Sequence, residues 1–248
     1  MATYVLVHGG GHGGWCYRFV ARILRQHGHE VYTPTLTGLS DRSHLLSTDV
    51  DLDMHIRDVV NLLKFEELTE VILVGHSYGG MVITGAADRA PERIANIVYL
   101  DAAYPFDGQS LSDIAAEMMS AAYQDVQTVN GVEVVLVPGC NPMTPEDYYG
   151  VTDPALIEWM KPKLSAHPWK CFSQKLQLQN EAAMRAIPVS FVVTEIQRDT
   201  LTDEHKEGLR ALTQGRYWEI ETGHDLMISA PEETTEALLQ VAAAVEEE

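Results

Sequence analysis

The sequence predicts an α/β protein: a mostly parallel sheet flanked by helices, with one long insertion forming a cap. Three observations predict it. Short apolar runs alternate with longer stretches of helical spacing. Residues 71–74 are apolar at every position, the composition of a strand covered on both faces. The alternation breaks once, between residues 102 and 187, and then resumes. At 248 residues the chain suits one large domain, with a core of residues 1–101 and 188–248 and a cap at about 102–187.

Residues 4–7 read as the first buried strand, closed by a glycine-rich turn. Residues 15–27 follow with helical spacing, Phe19, Ile23 and Leu24 sharing a face, and Gly28 stops them. Residues 30–36 read as a second strand. Residues 51–68 form an amphipathic helix carrying Ile56, Val59, Val60 and Leu63, and residues 71–74 are the third strand. A helix of small residues at 78–90 leads to a strand at 94–100. Within the insertion stand Met118 and Met119, a short apolar run at 132–137, and the aromatics Tyr148, Tyr149, Trp159 and Trp169, read as packing residues of which some line a pocket. Strands return at 189–193 and 217–221, and a helix at 232–245 precedes an acidic tail.

The chemistry concentrates in three places. Gly75-His76-Ser77-Tyr78-Gly79 lies between a buried strand and a helix, where glycines permit the sharp turn of a nucleophile elbow. Ser77 would project from that turn, and the backbone N–H of Tyr78 would face a developing oxyanion. His8-Gly9-Gly10 follows the first strand and offers the Gly10 N–H as a second donor, with His8 holding the loop and His12 either facing the site or idle. Thr222-Gly223-His224-Asp225 follows the last strand, which is where a general base is expected, so His224 takes that role. The acid that orients it is open: Asp101 ends the strand at 94–100, while Asp199 and Glu195 follow the strand at 189–193.

Composition narrows the classes. Lys and Arg number 17 against 36 Asp and Glu, a formal net charge of −19, which opposes nucleic-acid binding and docking on an anionic membrane. Hydrophobic residues at 46% exclude a disordered acidic chain. Cys16, Cys140 and Cys171 are few and far apart, so reduced thiols are expected rather than a disulfide framework or a zinc ribbon. The glycines near the start lack dinucleotide spacing, with His12 before Gly13. The start lacks a basic segment and runs straight into a motif, which makes a cytoplasmic location the expectation.

Together, His8-Gly9-Gly10, Gly75-His76-Ser77-Tyr78-Gly79 and Gly223-His224 resemble the α/β-hydrolase superfamily. The fuller run from His8 to Trp15 is similar to the branch of plant methylesterases, hydroxynitrile lyases and bacterial esterase relatives. That resemblance implies an α/β-hydrolase fold, Ser77 as nucleophile, His224 as base, and Gly10 and Tyr78 as oxyanion donors. Two departures matter. Asp225 stands where the lyases carry a lysine, which counts against cyanide chemistry. Thr194-Glu195 is followed by Ile196 instead of the aspartate of the plant enzymes, whereas Tyr99-Leu100-Asp101 resembles groups whose acid follows the sixth strand. Asp101 is therefore the preferred acid.

The expected function is a serine carboxylesterase acting through an acyl-enzyme on a small, neutral, apolar ester. It would need no metal or organic cofactor and no nucleic-acid or membrane partner; relatives of that branch are often dimers, which makes a homodimer an expected assembly. The alternatives are lactone opening, carbon–carbon cleavage or cofactor-free oxygenation on the same frame, or a receptor for a small molecule.

Overall fold

Six parallel strands organise the computed structural model, which describes residues 1–136 and 149–247. They are β1 (Thr3–Val7), β2 (Glu30–Tyr32), β3 (Val71–His76), β4 (Ile94–Leu100), β8 (Val189–Thr194) and β9 (Tyr217–Ile220), in the order β2-β1-β3-β4-β8-β9. β3 is buried along its whole length and runs beside β1 (Val7 opposite Gly75) and β4 (His76 opposite Leu100). Alternation divides the core between the two faces. Val5, Val7 and Leu73 pack with Ile56, Val59, Met81 and Val82 of α2 (Leu52–Phe65) and α3 (Gly79–Arg89). Tyr4, Leu6, Ile72 and Val74 pack with Val20 and Leu24 of α1 (Arg18–Gln26) and with Leu238 and Val241 of α12 (Pro231–Glu247).

Helix termini follow local chemistry. Asp51 caps α2 by accepting the Met54 N–H at 2.9 Å. α3 is buried except for Arg89, and its first turn lies so close to the segment after β4 that a Cβ on Gly80 would sit 2.0 Å from the Ala103 carbonyl oxygen. Only glycine fits there.

β2 ends at Tyr32, four residues before the expected strand end at Leu36. The loop after β1 claims those residues instead: the Gly14 N–H donates to Thr35 Oγ1 at 2.9 Å, and the Leu36 N–H donates to His8 Nε2 at 3.0 Å.

Between β4 and β8 the chain builds α4 (Leu111–Ile114), α5 (Ala116–Tyr123) and a three-stranded antiparallel sheet of β5 (Gln127–Val129), β6 (Val132–Val135) and β7 (His167–Pro168). It adds α6 (Pro154–Met160), α7 (Trp169–Ser173) and α8 (Glu181–Arg185). The buried carboxylate of Asp88 on α3 ties this segment down by accepting the N–H groups of Gln179 and Asn180 at 2.8–3.1 Å. After β8 come α9 (Glu195–Thr200) and α10 (Asp203–Leu212), and α11 (Leu226–Ser229) follows β9. Among the described residues no helix is long and apolar enough to cross a membrane.

Candidate active site

β3 delivers Ser77 to the carboxyl end of the sheet. Its φ of +52° is left-handed, a conformation that costs a non-glycine residue of order 1 kcal/mol. The turn is held because the Ser77 carbonyl accepts two N–H groups, from Gly80 at 3.0 Å and from Ala103 at 3.1 Å. Tyr78 opens α3, and its buried phenol contacts His55 Nδ1 at 2.9 Å.

The loop after β1 passes directly over this turn: a Cβ on Gly9 would fall 2.8 Å from the Ser77 Cβ. Its peptides are pinned one by one. His8 Nε2 accepts the Leu36 N–H, so Nδ1 carries the proton and donates to the Gly9 carbonyl at 2.8 Å. The trans peptide then turns the Gly10 N–H away from His8, and Gly10 lines the cavity beside Ser77. Burial pushes the His8 imidazole down to about 3, so it stays neutral. The next N–H, that of Gly11, donates to His167 Nδ1 at 3.1 Å.

His224 Nδ1 donates to Asp101 Oδ2 at 2.5 Å. The other oxygen of Asp101 accepts both the N–H and the hydroxyl of Thr194 at 3.0 Å, which fixes the carboxylate plane. Asp101 itself sits at φ +47°, its N–H donating to the Val192 carbonyl at 2.7 Å. Burial disfavours a charged His224, but the hydrogen bond and charge of Asp101, with the charge of Asp225 behind them, outweigh it and hold the imidazole above its ordinary range. The remaining acid candidates lie elsewhere. Asp199 is exposed on α9 and pairs with Arg198 at 3.0 Å, and Glu195 is exposed at the start of that helix.

Ser77, Tyr78, Gly10 and His224 line one cavity of about 230 Å3. Leu111, Met118, Met119, Val135 and Phe172 give its lining an apolar wall, and Asp125 adds a carboxylate. Tyr149 also lines it, whereas Trp159 packs on Trp15 and Trp169 on Tyr123. Tyr148 and Cys140 lie outside the described residues; Cys16 and Cys171 are buried free thiols.

Three contributors had little sequence signal. His76 Nε2 donates to the His224 carbonyl at 2.9 Å, His167 supports Gly11, and Asp225 contacts His12 at 2.9 Å. Only the position of Asp225 beside His224 hinted at a role. His55, His167 and Cys171 bring potential metal-ligand atoms within 4.8 Å of one another. Both nitrogens of His55 are already bonded, to Tyr78 and to the Thr37 carbonyl, and His167 Nδ1 serves Gly11. His167 Nε2 has no hydrogen-bond partner among the described residues, so an ion that recruited all three residues would have to displace a contact of His55, to Tyr78 or to Thr37.

The sequence profile of the alpha/beta hydrolase family matches residues 4–237. The chain is 36% identical over 247 residues to a carbendazim hydrolyzing esterase from Nocardioides sp. (strain SG-4G), covering 96% of this chain and 98% of that protein. It is 31% identical over 128 residues to putative methylesterase 15, chloroplastic, of Arabidopsis thaliana, covering 51% of this chain and 29% of that protein. An extracellular alpha/beta-hydrolase structure from a Paenibacillus species aligns with a TM-score of 0.75 at 22% identity, covering 97% of this chain and 98% of that one. At that identity the likeness concerns the fold.

Proposed function

The chain belongs to the alpha/beta hydrolase family and is a carboxylesterase-type hydrolase, and from that premise we propose that Ser77, His224 and Asp101 are its catalytic triad. The observation that carries the assignment is the 2.5 Å contact between His224 Nδ1 and Asp101 Oδ2. It leaves His224 Nε2 as the nitrogen available to a proton in the cavity that Ser77 lines.

Ser77 Oγ attacks the ester carbonyl while His224 Nε2 takes its proton. The carbonyl oxygen becomes an oxyanion between the Gly10 and Tyr78 N–H groups, both on backbone already fixed before substrate arrives. His224 returns the proton to the departing alkoxide. Water then attacks the acyl-Ser77 ester, His224 takes its proton, and the acid leaves with Ser77 restored. Asp101 stabilises the imidazolium of each half-reaction without taking the proton. The apolar wall accepts a small neutral ester, and no metal or organic cofactor takes part.

Hydrolysis of p-nitrophenyl acetate tests the reading, and the relative's name adds carbendazim as a second compound to try. Ser77→Ala reduces turnover to background in a folded protein. Asp101→Asn costs about 10⁴-fold through the wrong histidine tautomer, while Asp199→Asn stays near wild type. Turnover by folded Ser77→Ala, or the reverse ranking of the two aspartates, overturns the assignment. Turnover insensitive to a chelator is expected as well.

A further inference from the structure

His12 has an oxygen against each ring nitrogen. Nδ1 lies 2.8 Å from the Gly10 carbonyl and Nε2 lies 2.9 Å from Asp225 Oδ2. A carbonyl cannot donate, so Nδ1 carries a hydrogen. The second contact also needs one, on Nε2 or on Oδ2, because a bare nitrogen facing a bare carboxylate oxygen would set two lone pairs together. His12 and Asp225 therefore share one proton beyond that on Nδ1. As imidazolium–carboxylate or as imidazole–carboxylic acid, the pair has a net charge of zero.

Its setting suits that neutrality. The two side chains are 1% and 0% exposed, so an unpaired charge would be strongly disfavoured. Trp15 stacks on the His12 ring at 5.4 Å, and Tyr149 meets it edge-on at 5.0 Å. Asp225 Oδ1 has no hydrogen-bond partner among the described residues, which leaves Oδ2 as the atom through which the carboxyl group is held.

The contact joins residues 213 positions apart. One end holds the carbonyl of Gly10; the other belongs to the residue that follows His224. His8 and His167 also pin the Gly9–Gly11 backbone, but they bond to Leu36 and Gly11 and not to the loop that carries the base. We propose that His12 and Asp225 are positioning residues whose shared proton ties the oxyanion loop to the base loop and so sets the Gly10 amide against His224. The inference rests on the triad reading above. Neither side chain is assigned a place in the bond-making steps.

Two measurements on the full chain test it. In protein labelled with ¹⁵N-histidine, NMR should show His12 Nδ1 protonated and a hydrogen-bonded proton between Nε2 and Asp225. An unprotonated Nδ1 overturns the proposal. In steady-state hydrolysis of p-nitrophenyl acetate, Asp225→Ala should lower kcat about 10- to 100-fold with KM within about threefold, because a misaligned oxyanion donor is felt in the transition state. Asp225→Asn, whose amide can donate to a neutral His12 Nε2, should recover most of that loss. The double variant His12→Ala/Asp225→Ala should be no worse than the poorer single variant.

A folded Asp225→Ala with wild-type kcat, or a loss confined to KM, sinks the proposal. So does an Asn variant as impaired as the Ala variant, since charge and not the hydrogen bond would then be acting. Should Asp225→Ala fail to fold, the Asn variant and the NMR measurement decide. Ser77→Ala runs in parallel: turnover there removes the triad reading, while the NMR result still judges the proton-sharing pair.

Discussion

In the proposed triad His224 is the base, and its raised proton affinity has a kinetic consequence. Only the neutral imidazole can accept the Ser77 proton, so kcat/KM falls as pH drops and His224 becomes charged. Because the hydrogen bond and charge of Asp101 outweigh the effect of burial, the acid limb of the profile should have its inflection above the usual imidazole value. The groups facing His224 are Asp101 at the end of β4, His76 at the end of β3, and Asp225 beside it in the chain. His76 is held well below its ordinary range by burial, so it stays neutral through that limb. Asp101→Asn should move the inflection down, since burial then acts with less opposition, as well as lowering the plateau. A pH–rate profile checks both, and an unmoved inflection would mean that Asp101 does not set this proton affinity. The sequence marks Ser77 and His224 because a glycine turn after a buried apolar run and a histidine after the last strand have few other readings. Strand order alone leaves the acid open, since Asp101 and Asp199 follow neighbouring strands, and the preference for Asp101 comes from the resemblance of Tyr99-Leu100-Asp101 to groups whose acid follows the sixth strand. Register supports Asp101 in the proposed triad: Leu100 pairs with Val192, which puts Asp101 against Thr194, while α9 carries Asp199 outward. The His12–Asp225 contact leaves no local trace, because spacing rules reach a few residues and this pair spans the chain.

Two glycines on helices make opposite predictions at the scale of elements. Gly80 in the first turn of α3 has no room for a Cβ, with the Ala103 carbonyl oxygen 2.0 Å from the site. Gly80→Ala must push α3 away from the segment after β4, and should destabilise the protein by about 2 kcal/mol or more. Ser77 would be disturbed with it, since its carbonyl accepts the N–H groups of Gly80 and Ala103. Gly208 in α10 is exposed and has no positive φ, and a Cβ added there would meet nothing within 4 Å. Gly208→Ala should stabilise by up to about 1 kcal/mol through helix propensity. Urea unfolding midpoints test the pair, and movement in the same direction would contradict this packing argument. The same two helices show what patterning can and cannot reveal. α3 is legible because small residues sit between two buried strands. α10 buries none of its residues, so apolar periodicity has nothing to detect there. β2 ends early for a related reason: its last expected residues bond to a loop that is remote in sequence.

Charge acts on the whole molecule. With a net charge of −19 the protein surrounds itself with a negative potential, and Asp125 places one exposed carboxylate on the lining of an otherwise largely apolar cavity. An anionic ester is therefore opposed twice, during approach by the long-range field and at the cavity by Asp125, whereas a neutral ester meets neither barrier. Exposed charges are screened over about 8 Å at physiological ionic strength, so the long-range part should weaken with salt. Raising the salt concentration should increase kcat/KM for a negatively charged p-nitrophenyl ester severalfold and change the value for a neutral ester of similar size much less. Asp125→Asn should raise the anionic-to-neutral ratio of kcat/KM at low salt, and the gain should shrink as salt is added. If both esters respond equally to salt, the field does not steer substrate; selectivity for neutral esters would then rest on the apolar wall of Leu111, Met118, Met119, Val135 and Phe172 alone. If salt discriminates between the esters but Asp125→Asn does not alter the ratio, the barrier belongs to the overall charge and not to the cavity.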